Sequence, residues 1–263
     1  MPAIVVLVKN VPDTWSVKTL DEDFTLDRHT VDNVLDEINE FAVEQALRLK
    51  EQADQQMSVI ALSASPAGGD QALRKALAMG ADAAYALQDE ALAGSDLLGT
   101  AWALSQAIRT IEDVQLVITG VASSDGATGA LPGMIAEYLT LPALTSVKSV
   151  SLEGTTVRAV RETHDGDYDL RAALPALISV NDKADKPRYP NFKGIMAAKK
   201  AELQILDLAT IGVAPEQVGL AHSATQVVAT TTHPARSQGE MVYGDVDSQA
   251  QAIVDFLVAE KLV

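Results

Sequence analysis

The apolar positions of this chain follow two alternating patterns in its first half. Ile4-Val5-Val6-Leu7-Val8 is a continuous, largely β-branched run, as a strand buried on both faces requires. Phe41, Val43, Ala46, Leu47 and Leu49 recur at helical spacing and predict a helix over residues 41–52. Val59-Ile60-Ala61-Leu62 predicts a second buried strand, ending in the small-residue loop 63–69. Asp70 stands where a helix cap belongs and predicts a helix through Ala78, closed at Gly80. Residues 85–87, 97–111 and 116–119 continue as strand, helix and strand, and the loop after Thr119 opens a helix over residues 128–139. Strands alternating with helices predict a mostly parallel, doubly wound α/β sheet covered on both faces.

The pattern changes after Leu141-Pro142. Residues 146–151, 155–162, 168–173 and 176–180 are strand-like runs divided by Glu153-Gly154, Asp165-Gly166 and Pro175. The glycine turns suit hairpins, so these strands are expected to extend the sheet antiparallel at one edge. Residues 183–193 are polar and broken by Pro187 and Pro190, and a helix over 195–202 follows. Residues 206–239 read as largely irregular. Ala250, Ile253, Val254, Leu257 and Val258 then share one face of a terminal helix over 247–262. The expected organisation is an α/β domain, residues 1–212, and a C-terminal arm, residues 213–263, that packs on another surface.

Composition narrows the functions. The formal charge of −16 argues against general nucleic-acid binding, which needs basic surface, and the 4% aromatic content leaves few platforms for bases. With no cysteine there is no disulfide, thiolate metal site or cysteine nucleophile. No apolar stretch approaches the roughly 20 residues of a membrane span, so no direct membrane insertion is expected. The first residues read as a strand rather than a secretory leader. The expectation is a cytoplasmic protein.

In an open parallel sheet, ligands bind beyond the carboxyl ends of the strands. Three small-residue loops lie there: 9–14, 63–69 and 120–129. The third, from Gly120 through Ser123, Ser124, Asp125, Gly126, Ala127 and Thr128 to Gly129, leaves a strand and enters a helix. It presents backbone amides at the positive end of that helix, which suits a phosphate. The alternative is an ordinary strand-to-helix turn. Neither a Walker ending nor Gly-x-Gly-x-x-Gly after the first strand is present. His29, His164, His222 and His233 are scattered without metal spacing. Ser63 and Ser65 sit in no nucleophile elbow. Asp13, Asp21, Glu22, Asp23 and Asp27 fit no calcium loop and read as a solvated face. Arg158, Arg161 and Arg171 read as solvent-facing alternation or a partner contact. Nothing assembles a catalytic triad, an acid–base pair or a metal site.

Residues 157–200 carry a resemblance. Val157-Arg158-Ala159-Val160-Arg161-Glu162-Thr163-His164-Asp165-Gly166 is followed by Leu174-Pro175-Ala176-Leu177-Ile178-Ser179-Val180-Asn181-Asp182, then Pro187-Arg188-Tyr189-Pro190 and Ile195-Met196-Ala197-Ala198-Lys199-Lys200. This series resembles the signature region of electron-transfer flavoprotein β subunits. Val8-Lys9-Asn10-Val11-Pro12-Asp13, residues 38–46 and residues 76–82 match the same family in the same order, so the resemblance runs from about Ile4 to Gly212.

The resemblance implies a heterodimer with an α subunit that holds most of one FAD, while this chain buries an AMP in its sheet domain. It implies electrons arriving from flavin-linked dehydrogenases, typically of acyl-CoA, and passing to a quinone oxidoreductase. Carried over by position, the AMP pocket is lined by Leu7, by Asp36, Glu37, Ile38 and Asn39, by Ala64 and by the loop from Gly120 to Gly129. The partner-recognition segment carries Arg188, Tyr189, Phe192, Ile195 and Met196, with Phe192 at the family's apolar anchor. Three positions depart from the pattern. The Gly120 loop is shorter than in mitochondrial-type subunits, Asp36-Glu37-Ile38 replaces an asparagine-proline-phenylalanine segment, and Thr14, beside Trp15, aligns with an aromatic residue that faces the flavin in some members. Two alternatives share the topology: a stand-alone nucleotide-binding protein of the universal-stress type, and a bifurcating β subunit with a second FAD in place of AMP. A third, an adenylating enzyme, lacks a pyrophosphate-gripping motif after the first strand.

Overall fold

The computed structural model describes residues 1–53, 55–231 and 239–263. The chain forms two compact units, Met1–Val228 and Ala229–Val263. The first begins with β1 (Ala3–Leu7), a small ribbon of β2 (Asn10–Pro12) and β3 (Asn33–Leu35), α1 (Glu37–Gln52), β4 (Ser58–Ala64), α2 (Gln71–Met79) and β5 (Ala83–Leu87). It continues with α3 (Leu97–Arg109), β6 (Val114–Gly120), α4 (Leu131–Leu139), β7 (Ala143–Glu153), β8 (Thr156–Thr163) and β9 (Gly166–Ala173). Strand β10 (Ala176–Val180), α5 (Phe192–Lys200) and β11 (Gln204–Leu206) complete it.

Nine strands form one sheet in the order β11-β5-β4-β1-β6-β10-β7-β8-β9. From β11 to β7 every pairing is parallel, and only β8 and β9 add antiparallel. The expectation that all four late strands extend an edge antiparallel therefore fails at β7, which is parallel to β10, and at β10, which lies between β6 and β7 and is parallel to both. The reason is burial: all five residues of β10 are buried, as in β1, whereas β9 is mostly exposed. A run apolar on both faces belongs inside a sheet.

Helices cover both faces. Ile4, Val6, Val43, Leu47 and Ile178 belong to one buried layer, and Val5, Leu62, Leu104, Ile135 and Leu177 to the other. Each buried leucine or isoleucine contributes roughly 1.5–3 kcal/mol through burial. Leu208, Ile211, Val213 and Val218, which follow β11, are buried in the second layer.

Several helix starts differ from the sequence reading: α1 begins at Glu37 rather than Phe41 and α5 at Phe192 rather than Ile195. Asp70 occupies the cap position of α2 but makes no capping bond; its Oδ2 accepts from Arg74 Nε at 2.7 Å. The amide of Ala72 donates instead to Asn10 Oδ1 at 2.7 Å. Helix α4 begins at Leu131 rather than Thr128, because Ala127 (φ 49°) and Gly129 (φ 66°) have left-handed backbone and Pro132 suits a first turn.

The second unit contains α6 (Val246–Ala259), capped by Asp245, whose carboxylate accepts from Ser248 N at 2.9 Å; none of its residues is buried. His233 lies outside the described residues. Among the described residues no helix is long and apolar enough to cross a membrane.

Candidate functional site

Strand β1 has β4 on one side and β6 on the other; α1, the first helix after β1, packs in one buried layer and α4, after β6, in the other. Such a switch point leaves a crevice at the carboxyl ends. There, Leu7 ends β1, Gly120 ends β6 and Ala64 ends β4. The first turn of α1 closes on Gly120: a Cβ at that position would stand 2.7 Å from Ile38 Cγ2 and 3.1 Å from Asn39 Nδ2, so only glycine admits this approach. Lys9 N donates to Asn39 Oδ1 at 2.9 Å, and Asp36 N donates to Lys9 O at 3.0 Å. Leu7, residues 36–39 and Gly120 are thus brought together.

The loop after β6 is held from below by two buried carboxylates. Asp36, the cap residue of α1, gives that helix no side-chain bond; its Oδ2 accepts from Ser124 N at 2.8 Å. Asp125 has a side chain only 2% exposed and sits between two cations, with Lys9 Nζ at 2.7 Å from Oδ1 and Arg28 Nη2 on Oδ2. Ser123 Oγ accepts from Gly126 N at 3.2 Å. Burial pushes the Asp125 carboxyl up, but the charge of Lys9 and hydrogen bonds from Lys9, Arg28 and Ser123 outweigh it and hold the pKa at about 2. Burial raises Asp36, which the hydrogen bond from Ser124 only partly offsets and the charge of Asp125 reinforces. Two cations therefore meet on the Asp125 carboxylate, with Asp36 close enough to feel its charge.

Beyond this anchored half, the amides of Thr128, Gly129, Ala130 and Leu131 donate to no acceptor among the described residues. They lie at the start of α4, where partial positive charge collects, and Thr128, Gly129 and Ala130 are exposed. Ser63 Oγ, buried at the end of β4, has no partner either. This combination fits a phosphate at the loop with the rest of a ligand lying over the strand ends. Two hollows lie elsewhere, one between residues 16–19 and 29–32 and one on the outer face of β7–β9; neither reaches the strand-end loops.

The second candidate region is the segment around α5. Tyr189 is 88% and Phe192 78% exposed, and Ile195 and Met196 are partly exposed beside them. Asn191 Oδ1 caps α5 by accepting from Gly194 N at 2.8 Å. Arg188 is turned inward onto α1, with Nε 2.7 Å from Glu44 Oε2 and Nη1 2.6 Å from Glu51 Oε1. Burial raises Glu44, but hydrogen bonds from Arg188 and Arg48 hold its carboxyl below the usual range.

The remaining candidates stay apart. Asp23 and Asp27 accept from Thr25 and from His29 and Thr30 within their own loop, and among the described residues no three ligands gather at metal distance. Arg161 Nε donates to Thr145 O at 2.6 Å, stitching β8 to β7, and Arg158 faces Arg171 across the β8–β9 register. Trp15 is 94% exposed. Sequence reasoning left Arg28, Glu44 and Glu51 out of the site and placed Lys9 there only as part of the loop 9–14. Glu44 and Glu51, seven apart on one helix face, carry a readable signal; Arg28, in an acidic loop, carries none.

A family model described as the electron transfer flavoprotein domain matches residues 23–211. An electron transfer flavoprotein subunit beta from Mycobacterium bovis is 52% identical, with 100% of both chains covered. One of the same name from Megasphaera elsdenii is 38% identical over 99% of this chain and 97% of its own. The caffeyl-CoA reductase-Etf complex subunit CarD of Acetobacterium woodii is 33% identical over 99% of each.

Proposed function

The chain belongs to the electron transfer flavoprotein family, on its β-subunit branch, and from that premise we propose that it is the nucleotide-holding half of a heterodimeric electron carrier. Its partner is an α subunit that holds most of one FAD, and the apolar face of α6 packs on that subunit. The complex takes electrons from flavin-linked dehydrogenases, typically of acyl-CoA, and passes them to a quinone oxidoreductase in the cytoplasmic compartment. The flavin supplies the redox chemistry when bound; this chain supplies no acid, base or nucleophile and acts by binding and positioning.

In this reading AMP occupies the crevice between β1 and β6. Its phosphate accepts from the amides of Thr128, Gly129, Ala130 and Leu131, and its adenosine lies over Leu7, Ala64 and residues 36–39. The observation that carries it is the set of amides at the start of α4 that donate to no acceptor among the described residues. Tyr189, Phe192, Ile195 and Met196 meet the dehydrogenase.

Co-expression with the α subunit tests the whole reading. A yellow complex that releases one AMP and one FAD on denaturation supports it. Two FAD and no AMP would make this a bifurcating subunit. A colourless chain that binds adenine nucleotide alone would return the stand-alone alternative.

A further inference from the structure

Residues 186–201 are pinned to the first unit at two places, and the most exposed large side chains of the segment lie between the pins. One pin is α5 on α2. Arg74 Nη1 donates to Ala198 O at 2.8 Å, and at Gly194 a Cβ would stand 2.5 Å from Ala78 O, so the two helices touch at the backbone. The other pin is Arg188. Its side chain makes four hydrogen bonds, two to Glu44 at 2.7 and 3.1 Å and two to Glu51 at 2.6 and 3.1 Å. Its amide adds a fifth bond, to Glu44 Oε2 at 3.1 Å. A guanidinium has five N–H groups, so a single donor remains for anything else.

We propose that Arg188 is a positioning residue, which fixes the pose of Phe192 for a partner protein by gripping two carboxylates of α1 and makes no partner contact itself. The inference rests on the recognition reading above. Glu44 and Glu51 are spaced along one face of a rigid helix, and a planar fork bridging both sets the direction in which the chain leaves toward Phe192. Holding that pose before encounter removes an ordering cost from association. Arg48 Nε also lies 2.9 Å from Glu44 Oε1, so the buried carboxylate keeps a partner when Arg188 is replaced.

The test measures reduction of the α–β heterodimer by a purified acyl-CoA dehydrogenase, with KM for the heterodimer read apart from kcat. Arg188→Gln is expected to raise KM about tenfold, with kcat and flavin content within about twofold of wild type. Arg188→Lys should do the same, since an ammonium keeps the charge but cannot reproduce the planar grip of four bonds on both carboxylates. In the background of Phe192→Ala, Arg188→Gln should add nothing, because it acts through that side chain. A wild-type KM for Arg188→Lys, or effects that multiply in the double variant, overturns the proposal. If Phe192→Ala alone leaves KM unchanged, the recognition reading fails and takes the proposal with it. Should Arg188→Gln not fold, Glu51→Gln leaves Arg188 on Glu44 and should raise KM about threefold with the same non-additivity; a wild-type value there overturns the proposal.

Discussion

Lys9 Nζ donates to Asp125 Oδ1 at 2.7 Å and ties the end of β1 to a loop 116 residues further along. Arg28 closes on the other oxygen of the same carboxylate. Three segments of the chain therefore meet on one buried charge, in the same loop as the amides that a phosphate would use. The same contact makes the acid stability of the fold depend on this loop.

Asp125 falls from its ordinary 3.8 to about 2 in the folded chain, a difference worth about 2 kcal/mol. A depressed carboxylate stabilises above its unfolded pKa and loses that contribution as the pH falls through the folded one. The contribution is thus complete near pH 5, mostly lost by about pH 2 and gone only below it. Asp125→Asn should be less stable than wild type at neutral pH, and the gap should shrink steadily below about pH 4. Urea midpoints measured from pH 7 to pH 2 check this, and a gap independent of pH would contradict it.

Gly129 has φ 66°, yet a Cβ there would meet nothing nearer than Val121 O at 3.9 Å. The cost of a side chain is therefore backbone strain, roughly 1–2 kcal/mol, and more for a β-branched one. Gly129→Val should lower both stability and the AMP retained on purification. Gly133→Ala, inside α4 with nothing within 4 Å, should gain up to about 1 kcal/mol. Mass analysis of denatured protein reads the first, and thermal midpoints read both.

Phe192→Ala removes a side chain that is 78% exposed, so the unfolding free energy should change by less than about 0.5 kcal/mol. Affinity for the dehydrogenase should fall by roughly 2 kcal/mol, about thirtyfold. Calorimetry on the heterodimer separates the two; a large stability loss with unchanged affinity would place Phe192 in the fold instead.

Helix α6 buries none of its residues, although Ile253, Val254, Phe256 and Val258 are apolar. Removing residues 245–263 should leave the unfolding transition of the first unit in place and weaken association with the α subunit. An unchanged dissociation constant for the truncated chain would exclude α6 from that interface.

Asn10 caps α2 across 62 residues, while Asp70 holds the cap position and pairs with Arg74. Asn10→Ala should cost about 1 kcal/mol or more, since it loses the cap and the bond from Nδ2 to Gly69 O at 2.7 Å. Asp70→Ala should cost about half as much, because a partly exposed ion pair contributes little. Equal losses would return the cap to Asp70.

The buried strands β1, β4 and β6, the small-residue loops at their ends and the motifs of residues 157–200 were legible in the amino-acid order alone. Burial on both faces demands a continuous apolar run, and a helix demands its own period, so both are local properties. Even the place of β10 was written in its uninterrupted apolar run, though the neighbouring hairpin turns pointed to an edge. What only the tertiary structure decided was the partners of the carboxylates: Lys9 and Arg28 on Asp125, the Ser124 amide on Asp36, Arg188 on Glu44 and Glu51. A hydrogen bond joins atoms that are close in space, and a partner 88, 116 or 144 residues away leaves no period or spacing in the chain from which it can be read.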